Sequence, residues 1–168
     1  MTGLPETFYF YSSTLFSMGI EKDIKQTKFR NEYQKASINL IYTFGWVNGK
    51  SKEILATEDI TPQQFNILRI LRGSYPQPLS TLQIRERMLD KMSDTSRIAD
   101  RLIAKGLAKK NACKKDHRMV DITITEKGEK ILEQLDARQD EMDNILSNLT
   151  KKEATLLSDL LDKIRNNK

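Results

Sequence analysis

A strongly basic turn that leads into an alternating strand limits what this chain can fold into. Residues 114–118 read Lys-Lys-Asp-His-Arg, and the next apolar and polar residues alternate from Val120 to Ile124. A period of two is typical of a strand with one buried face. Residues 125–128, Thr-Glu-Lys-Gly, have the composition of a helix start. The sequence therefore predicts a hairpin with a basic tip, followed by a helix.

Three short helices are predicted before this hairpin. Thr61 and Gln64 can form a capping box around Pro62, which suits the first position of a helix, and Gly73 follows the last apolar residue. Ser80 is placed to cap the second helix. The apolar side chains expected to point inward from this second helix are Leu82, Ile84 and Met88.

The third helix is predicted over residues 94–106, directly before the first strand of the hairpin. Ser93 is expected to cap it, and Gly106 is expected to end it in the left-handed conformation. Its apolar residues, at helical spacing, are Ile98, Leu102 and Ile103.

Longer helices are predicted on both sides of this central region. Residues 28–56 read as one helix, although Gly45 and Gly49 weaken its interior. Residues 126–149 read as a second, and Thr150 and Glu153 form a capping box ahead of a leucine-rich last helix.

The excess positive charge of the chain lies in its centre. Residues 57–128 hold 14 Lys and Arg against 9 Asp and Glu, whereas the rest of the chain holds 14 against 14. Nine of the basic residues, against three acidic ones, lie between Lys91 and Arg118. This distribution is typical of proteins that bind a polyanion.

Three helices followed by a basic hairpin are the winged helix-turn-helix arrangement for reading duplex DNA. The expected fold class is therefore mainly α, with a small β-hairpin wing and with N- and C-terminal helices outside the DNA-binding domain. From the wing tip, Lys114, Lys115 and Arg118 can reach phosphates or the minor groove.

These motifs resemble the MarR family of bacterial transcriptional regulators across roughly residues 30–166. The wing has the family's Asp-x-Arg pattern at Asp116 and Arg118, an alternating strand, and Gly128 in the first turn of the next helix. The third helix matches in Ser-Arg at residues 96–97, Asp-Arg-Leu at 100–102 and Lys-Gly-Leu at 105–107. His117 departs from the pattern, because a second arginine is common at that position.

The resemblance implies that the wing arginine enters the minor groove while the third helix reads the major groove. The wing role falls on Arg118, and the helix role falls on Ser93, Asp94, Thr95, Ser96 and Arg97. It also implies a homodimer formed by the terminal helices, which would bind a palindromic operator.

Three residues of this region, Arg97, Arg101 and Asp116, are interpreted individually. Arg101 is a candidate DNA contact, but an ion pair with Asp94 or Asp100 at helical spacing is the favoured interpretation. Asp116 would be repelled by phosphate, so we assign it to orienting Arg118. Arg97 contacts a guanine edge, binds a phosphate or is a solvated side chain.

The remaining reactive side chains give no catalytic or metal site. Cys113 is interpreted as inert rather than oxidant-sensing, and His117 as solvated rather than pH-sensing. One cysteine excludes an intrachain disulfide, and one histidine with one cysteine cannot supply a zinc site. We expect no metal, no cofactor and no enzymatic activity.

Three aromatic residues on the first long helix have two interpretations. Tyr42, Phe44 and Trp46 either belong to an ordinary core or line a pocket for a small aromatic effector, since many MarR-family members bind phenolic compounds between their dimer helices and DNA-binding domain.

The expected organisation has four parts. Residues 1–27 form an arm that is packed, or disordered, or that lies in part before a translation start at Met18. Residues 28–57 form an N-terminal dimerisation helix, 58–128 form the winged-helix domain, and 129–168 form C-terminal dimerisation helices. The uncharged residues 7–20 are too few to span a bilayer, which favours a cytoplasmic protein.

The function that these observations favour is a homodimeric, sequence-specific DNA-binding regulator, with repression and an effector response as its expected mode. The alternative is a winged-helix module that binds partner proteins and has lost specific DNA binding. The basic stretch between Lys91 and Arg118 favours the regulator.

Overall fold

The computed structural model describes residues 19–112 and 120–166, which form two compact units divided between Gly45 and Trp46. The first unit contains α1 (Ile20–Asp23) and the beginning of α2 (Glu32–Leu55). Lys35 Nζ lies 2.5 Å from Glu21 Oε1 and so joins these two helices. Most of the predicted arm, residues 1–18, lies outside the described part of the chain.

The second unit contains the end of α2 and then α3 (Pro62–Arg72), α4 (Thr81–Arg87) and α5 (Thr95–Ala104). The predicted capping box of α3 is confirmed, since Thr61 Oγ1 accepts from Gln64 N–H and Gln64 Oε1 accepts from Thr61 N–H. Ser80 caps α4 as predicted. Gly73 ends α3 in the right-handed conformation, with φ of −66°, so its position does not require glycine.

The sheet has three antiparallel strands, β1 (Leu79–Ser80), β2 (Ala108–Ala112) and β3 (Val120–Ile124), in the order β1-β3-β2. The predicted hairpin consists of β2 (Ala108–Ala112) and β3 (Val120–Ile124). Sequence reasoning missed β1 (Leu79–Ser80), because two residues are too few to show an alternating pattern. Pairing of Leu79 with Ile122 attaches the hairpin to the start of α4.

The core of the second unit lies between α3, α5, β3 and the next helix, α6 (Glu126–Asp136). Ile122 and Ile124 are buried, as the alternation of the strand predicted. Gly128 packs so closely on the chain before β2 that a Cβ there would lie 2.3 Å from the Leu107 carbonyl oxygen. The fully buried large side chains include Leu55, Ile67, Leu68, Leu71, Ile84, Met88, Leu102, Leu107 and Leu132.

An ionic cluster joins α3 to the end of α6. Arg69 donates to Asp136 Oδ1 at 2.8 Å, and Arg72 donates to Asp136 Oδ2 at 2.6 Å. The Arg72 guanidinium holds the pKa of the Asp136 carboxyl below its ordinary value, with a smaller contribution from Arg69. This partly exposed cluster therefore links the two helices at the surface.

The predicted single helix over residues 126–149 is wrong. The segment is α6, then α7 (Gln139–Asp143), then a 3₁₀ turn at Asn144–Leu146. Residues 136–141 contain no large apolar side chain, so no stripe continues through them. Arg138, at the break, donates to Glu141 and, at 2.7 Å, to Thr57 Oγ1.

The turn between α2 and α3 is held from two directions. Besides the Arg138 contact to Thr57, Lys105 donates to the Asp59 carbonyl and, at 2.9 Å, to Asp59 Oδ2. Asp59 has a φ of 52°, in the left-handed region. Lys127 in turn donates to the Lys105 carbonyl oxygen at 2.9 Å.

The last helix, α8 (Lys151–Arg165), begins at the predicted capping box of Thr150 and Glu153. Its apolar stripe is exposed in the single chain. The side chains concerned, each between 40 % and 63 % exposed, are Leu156, Leu157, Leu160 and Ile164. Helices α3, α4 and α5 and the antiparallel hairpin that follows them confirm the predicted mainly helical, winged helix-turn-helix fold.

Candidate nucleic-acid interface

The helix predicted to read DNA, α5, is held to the core by one face only. Ala99 and Leu102 are buried, whereas Ser96 and Arg97 are exposed. Gly106 ends the helix with a φ of 71°, as predicted, where other residues would be strained. The polar face of α5 is therefore presented to solvent along the predicted reading surface.

The cap of α5 is Asp94, not Ser93 as predicted. Asp94 Oδ1 accepts from Arg97 N–H at 3.1 Å, while the Ser93 hydroxyl donates to Asp90 Oδ2 at 2.6 Å. Asp90 Oδ1 also accepts from Met92 N–H at 3.0 Å. The Ser93 hydroxyl and then the Met92 amide hold the pKa of the Asp90 carboxyl below its ordinary value. Both Ser93 and Asp94 could cap by type, so the sequence alone could not choose between them.

One predicted DNA-contacting residue, Thr95, is buried. Its side chain is 3 % exposed, and its hydroxyl lies 3.3 Å from Met88 Sδ. A side chain packed inside the domain does not reach a base edge, so Thr95 is a core residue of α5. A short polar side chain directly after a helix cap gives no signal in sequence of which face it occupies.

The expected ion pair of Arg101 with Asp94 or Asp100 is not formed in the described residues. Asp100 pairs instead with Lys110 of β2, at 2.9 Å, and Asp94 is occupied as the helix cap. Arg101 is exposed and lines an open cleft of about 750 Å³ with Lys52 and Lys105. Its cationic group therefore faces solvent near the turn between α2 and α3.

A second open cleft, of about 430 Å³, lies between the beginnings of α4 and α5. Leu82 lines it and is 62 % exposed, so the prediction that this side chain points inward is wrong. Ile84 is buried, and a residue two positions away on a helix points roughly to the opposite side, so Leu82 faces outward. The other residues around this cleft are Thr81, Arg85, Met92, Ser93, Asp94, Thr95 and Ser96.

The two strands of the hairpin, β2 and β3, carry exposed lysines and a side-chain hydrogen bond between them. Lys109 and Lys110 of β2 are exposed, and Asn111 donates to Thr123 Oγ1 at 2.9 Å across the two strands. The predicted tip contacts, with the neighbouring cysteine and histidine, lie outside the described residues. They are Cys113, Lys114, Lys115, Asp116, His117 and Arg118.

The three aromatic candidates for an effector pocket are exposed side chains of α2, namely Tyr42, Phe44 and Trp46. Within the described residues, no group of His, Cys, Asp and Glu could hold a metal ion. No helix in the same part of the chain is long and apolar enough to cross a membrane.

Known proteins are similar to this chain in sequence and in fold. The MarR family profile matches residues 60–120. The HTH-type transcriptional repressor MdtR of Bacillus subtilis (strain 168) is 33% identical over 119 residues, which are 69% of this chain and 74% of MdtR.

Two solved structures extend the likeness to the fold. A mutant MarR from E. coli, complexed with operator DNA, is 25% identical, with a TM-score of 0.72 over 82% of this chain and 99% of that one. Bordetella bronchiseptica BpsR, whose DNA binding is regulated by 6-hydroxynicotinic acid, is 18% identical, with a TM-score of 0.68 over 78% of this chain and 98% of that one. With the identity to MdtR spanning most of both chains, the chain belongs to the MarR family of transcription regulators.

Proposed function

We propose that the protein is a homodimeric repressor that binds a palindromic DNA operator. The observation that carries this function is the exposed polar face of α5, where Ser96 and Arg97 stand opposite a buried apolar face. A helix fixed in this way fits the major groove, where base edges are distinguishable. MdtR, the relative at 33% identity, is a repressor, and the E. coli MarR mutant was solved with operator DNA.

In this function the two arms of the domain have different roles. Arg97 contacts base edges, with Ser93, Asp94 and Ser96 around it at the start of α5. Arg101 binds a phosphate. Lys114, Lys115 and Arg118 of the wing bind phosphates or enter the minor groove, and Asp116 orients Arg118.

The dimer is formed by segments 28–57 and 129–168. The supporting observation is the exposed stripe of α8, whose leucines would otherwise remain in water. Two-fold symmetry in such a dimer would place two α5 helices on half-sites of one palindrome.

An effector response is proposed for the aromatic residues of α2. Tyr42, Phe44 and Trp46 are exposed in the single chain and offer flat apolar surface to an aromatic compound. Release of DNA on addition of such a compound, with loss of the response in Trp46→Ala, would be the expected behaviour.

The experiment that tests the function is selection of bound duplexes from a random pool by the full chain. We expect a palindrome with half-sites about one helical turn apart. A pool that is retained without enrichment of any sequence would contradict sequence-specific binding and would favour the alternative, a protein-interaction module.

A further inference from the structure

Two large apolar side chains stand in water beside the start of α5. Met92 is 92 % exposed and Leu82 is 62 % exposed. Both line the cleft of about 430 Å³ between α4 and α5, together with the polar Ser93 and Ser96. Because burial of apolar surface is favourable, these two side chains can bind a small apolar group of a partner molecule.

The backbone that carries Met92 is held in place. The Met92 amide donates to Asp90 Oδ1 at 3.0 Å. Earlier in the same loop, the Leu89 amide donates to Asn66 Oδ1 of α3 at 2.9 Å. Leu82 is fixed by the capping box of α4. The two apolar side chains are thus presented from fixed backbone on either side of the cleft.

We propose that Leu82 and Met92 determine sequence specificity by contacting the C5-methyl group of thymine in the operator. This role rests on the proposed function of α5 in the major groove. The thymine methyl is the one apolar group that base edges display in that groove, and apolar side chains recognise it. Arg85 lines the same cleft and can bind a phosphate beside that base.

The test replaces thymine by deoxyuridine, which removes only the methyl group. Each thymine of the selected operator is replaced in turn, symmetrically in both half-sites, and affinity is measured by fluorescence anisotropy. We expect the wild type to lose about fourfold per methyl group at one or two positions, since burial of a CH₂-sized group contributes about 0.8 kcal/mol.

The variants assign the contact to its residues. Leu82→Ala and Met92→Ala should weaken binding to the thymine operator and should no longer respond to deoxyuridine at the position that each contacts. Leu89→Ala is the matched control, because Leu89 is 89 % exposed on the same loop but does not line the cleft. It should keep the full response.

The outcomes separate the two proposals. A wild type that binds its operator specifically but is indifferent to deoxyuridine at every position would overturn the thymine contact alone. So would a full response in both Leu82→Ala and Met92→Ala. A wild type that selects no sequence would overturn the operator function, and the thymine contact with it.

Discussion

At the scale of single residues, Gly128 shows how closely the helix after the wing packs. An added Cβ would meet the Leu107 carbonyl oxygen at 2.3 Å and Ile124 Cγ1 at 2.8 Å. Gly128→Ala should therefore lower the free energy of unfolding by about 1–3 kcal/mol, although alanine is the better helix former. Urea denaturation at fixed protein concentration measures the change.

Gly73→Ala is the control for this substitution. Gly73 has ordinary right-handed angles, and a Cβ there would lie no closer than 3.4 Å to any neighbour. We expect a change between zero and about 1 kcal/mol of added stability. Equal effects of the two substitutions would contradict the close packing at Gly128.

The Asp136 cluster makes stability depend on pH. Arg72 lowers the pKa of the folded Asp136 carboxyl, so its stabilisation is complete above the unfolded pKa of about 4 and is lost as the pH falls through the folded pKa. Asp136→Asn should cost about 1 kcal/mol or less at pH 7, because the pair is partly exposed. The difference from wild type should shrink in urea titrations below about pH 4. A difference that stays constant with pH would assign the loss to packing.

The arginines of the two DNA-binding arms should differ in specificity. Arg97→Ala should cost about 1–3 kcal/mol, mainly on the operator, because base identity is read in the major groove. Arg118→Ala should weaken binding to operator and scrambled duplex alike, with a shallower salt dependence. Anisotropy titrations with both duplexes at two salt concentrations measure this. Equal losses for Arg97→Ala on both duplexes would reduce Arg97 to a phosphate contact.

At the scale of elements, α8 provides a test of dimerisation. Leu160→Asp places a charge in the exposed leucine stripe and should weaken the dimer about tenfold or more, because burying an unpaired carboxylate is costly. Analytical ultracentrifugation measures the equilibrium. Ser158→Asp adds the same charge outside the stripe and should leave it unchanged. A dimer that tolerates Leu160→Asp would show that the stripe has another role.

Elements with strong local signals were predictable from the sequence. Thr61 with Gln64 and Thr150 with Glu153 specify their helix starts within four residues, so both capping boxes formed as predicted. The break at Arg138 had a local signal in the polar residues 136–141, but its bond to Thr57, which joins residues 81 positions apart, was not predictable. The outward position of Leu82 likewise depends on which turn of α4 meets the core. A sequence pattern reports neighbours along the chain, whereas the Arg138–Thr57 bond and the position of Leu82 depend on neighbours in space.

At the scale of the whole molecule, the central charge should control affinity for DNA. We expect the logarithm of the association constant to fall linearly with the logarithm of salt concentration, with a slope of about −0.9 per neutralised phosphate. In the free chain the Lys110 amine pairs with Asp100. We expect this amine to leave Asp100 and bind a phosphate in the complex, so Lys110→Gln should make the slope shallower. Lys163→Gln, on α8, is the control. A slope near zero for the wild type would contradict a DNA-binding role.

The location of the candidate site follows from the sequence at this scale, because the charge distribution and the order of the elements can both be read from it. The sequence therefore predicted the region of the candidate site. The structure exposes Ser96 and Arg97 of α5 there, and their contact with DNA stays a prediction. The internal arrangement of the site was not predictable. Thr95 turned out to be buried, and Asp90, which fixes the loop before α5, gave no motif by which to recognise it.

The turn between α2 and α3 has a mechanical consequence. Lys105 at the end of α5 and Arg138 at the break after α6 both donate hydrogen bonds to this turn. Lys127 donates to the carbonyl oxygen of Lys105. Because the turn is hydrogen-bonded on both sides, a rotation of the end of α2 would be transmitted to its partners. It would displace the end of α5 and the break between α6 and α7 together, so that a movement of α2 would tilt α5 against the core that holds its buried face.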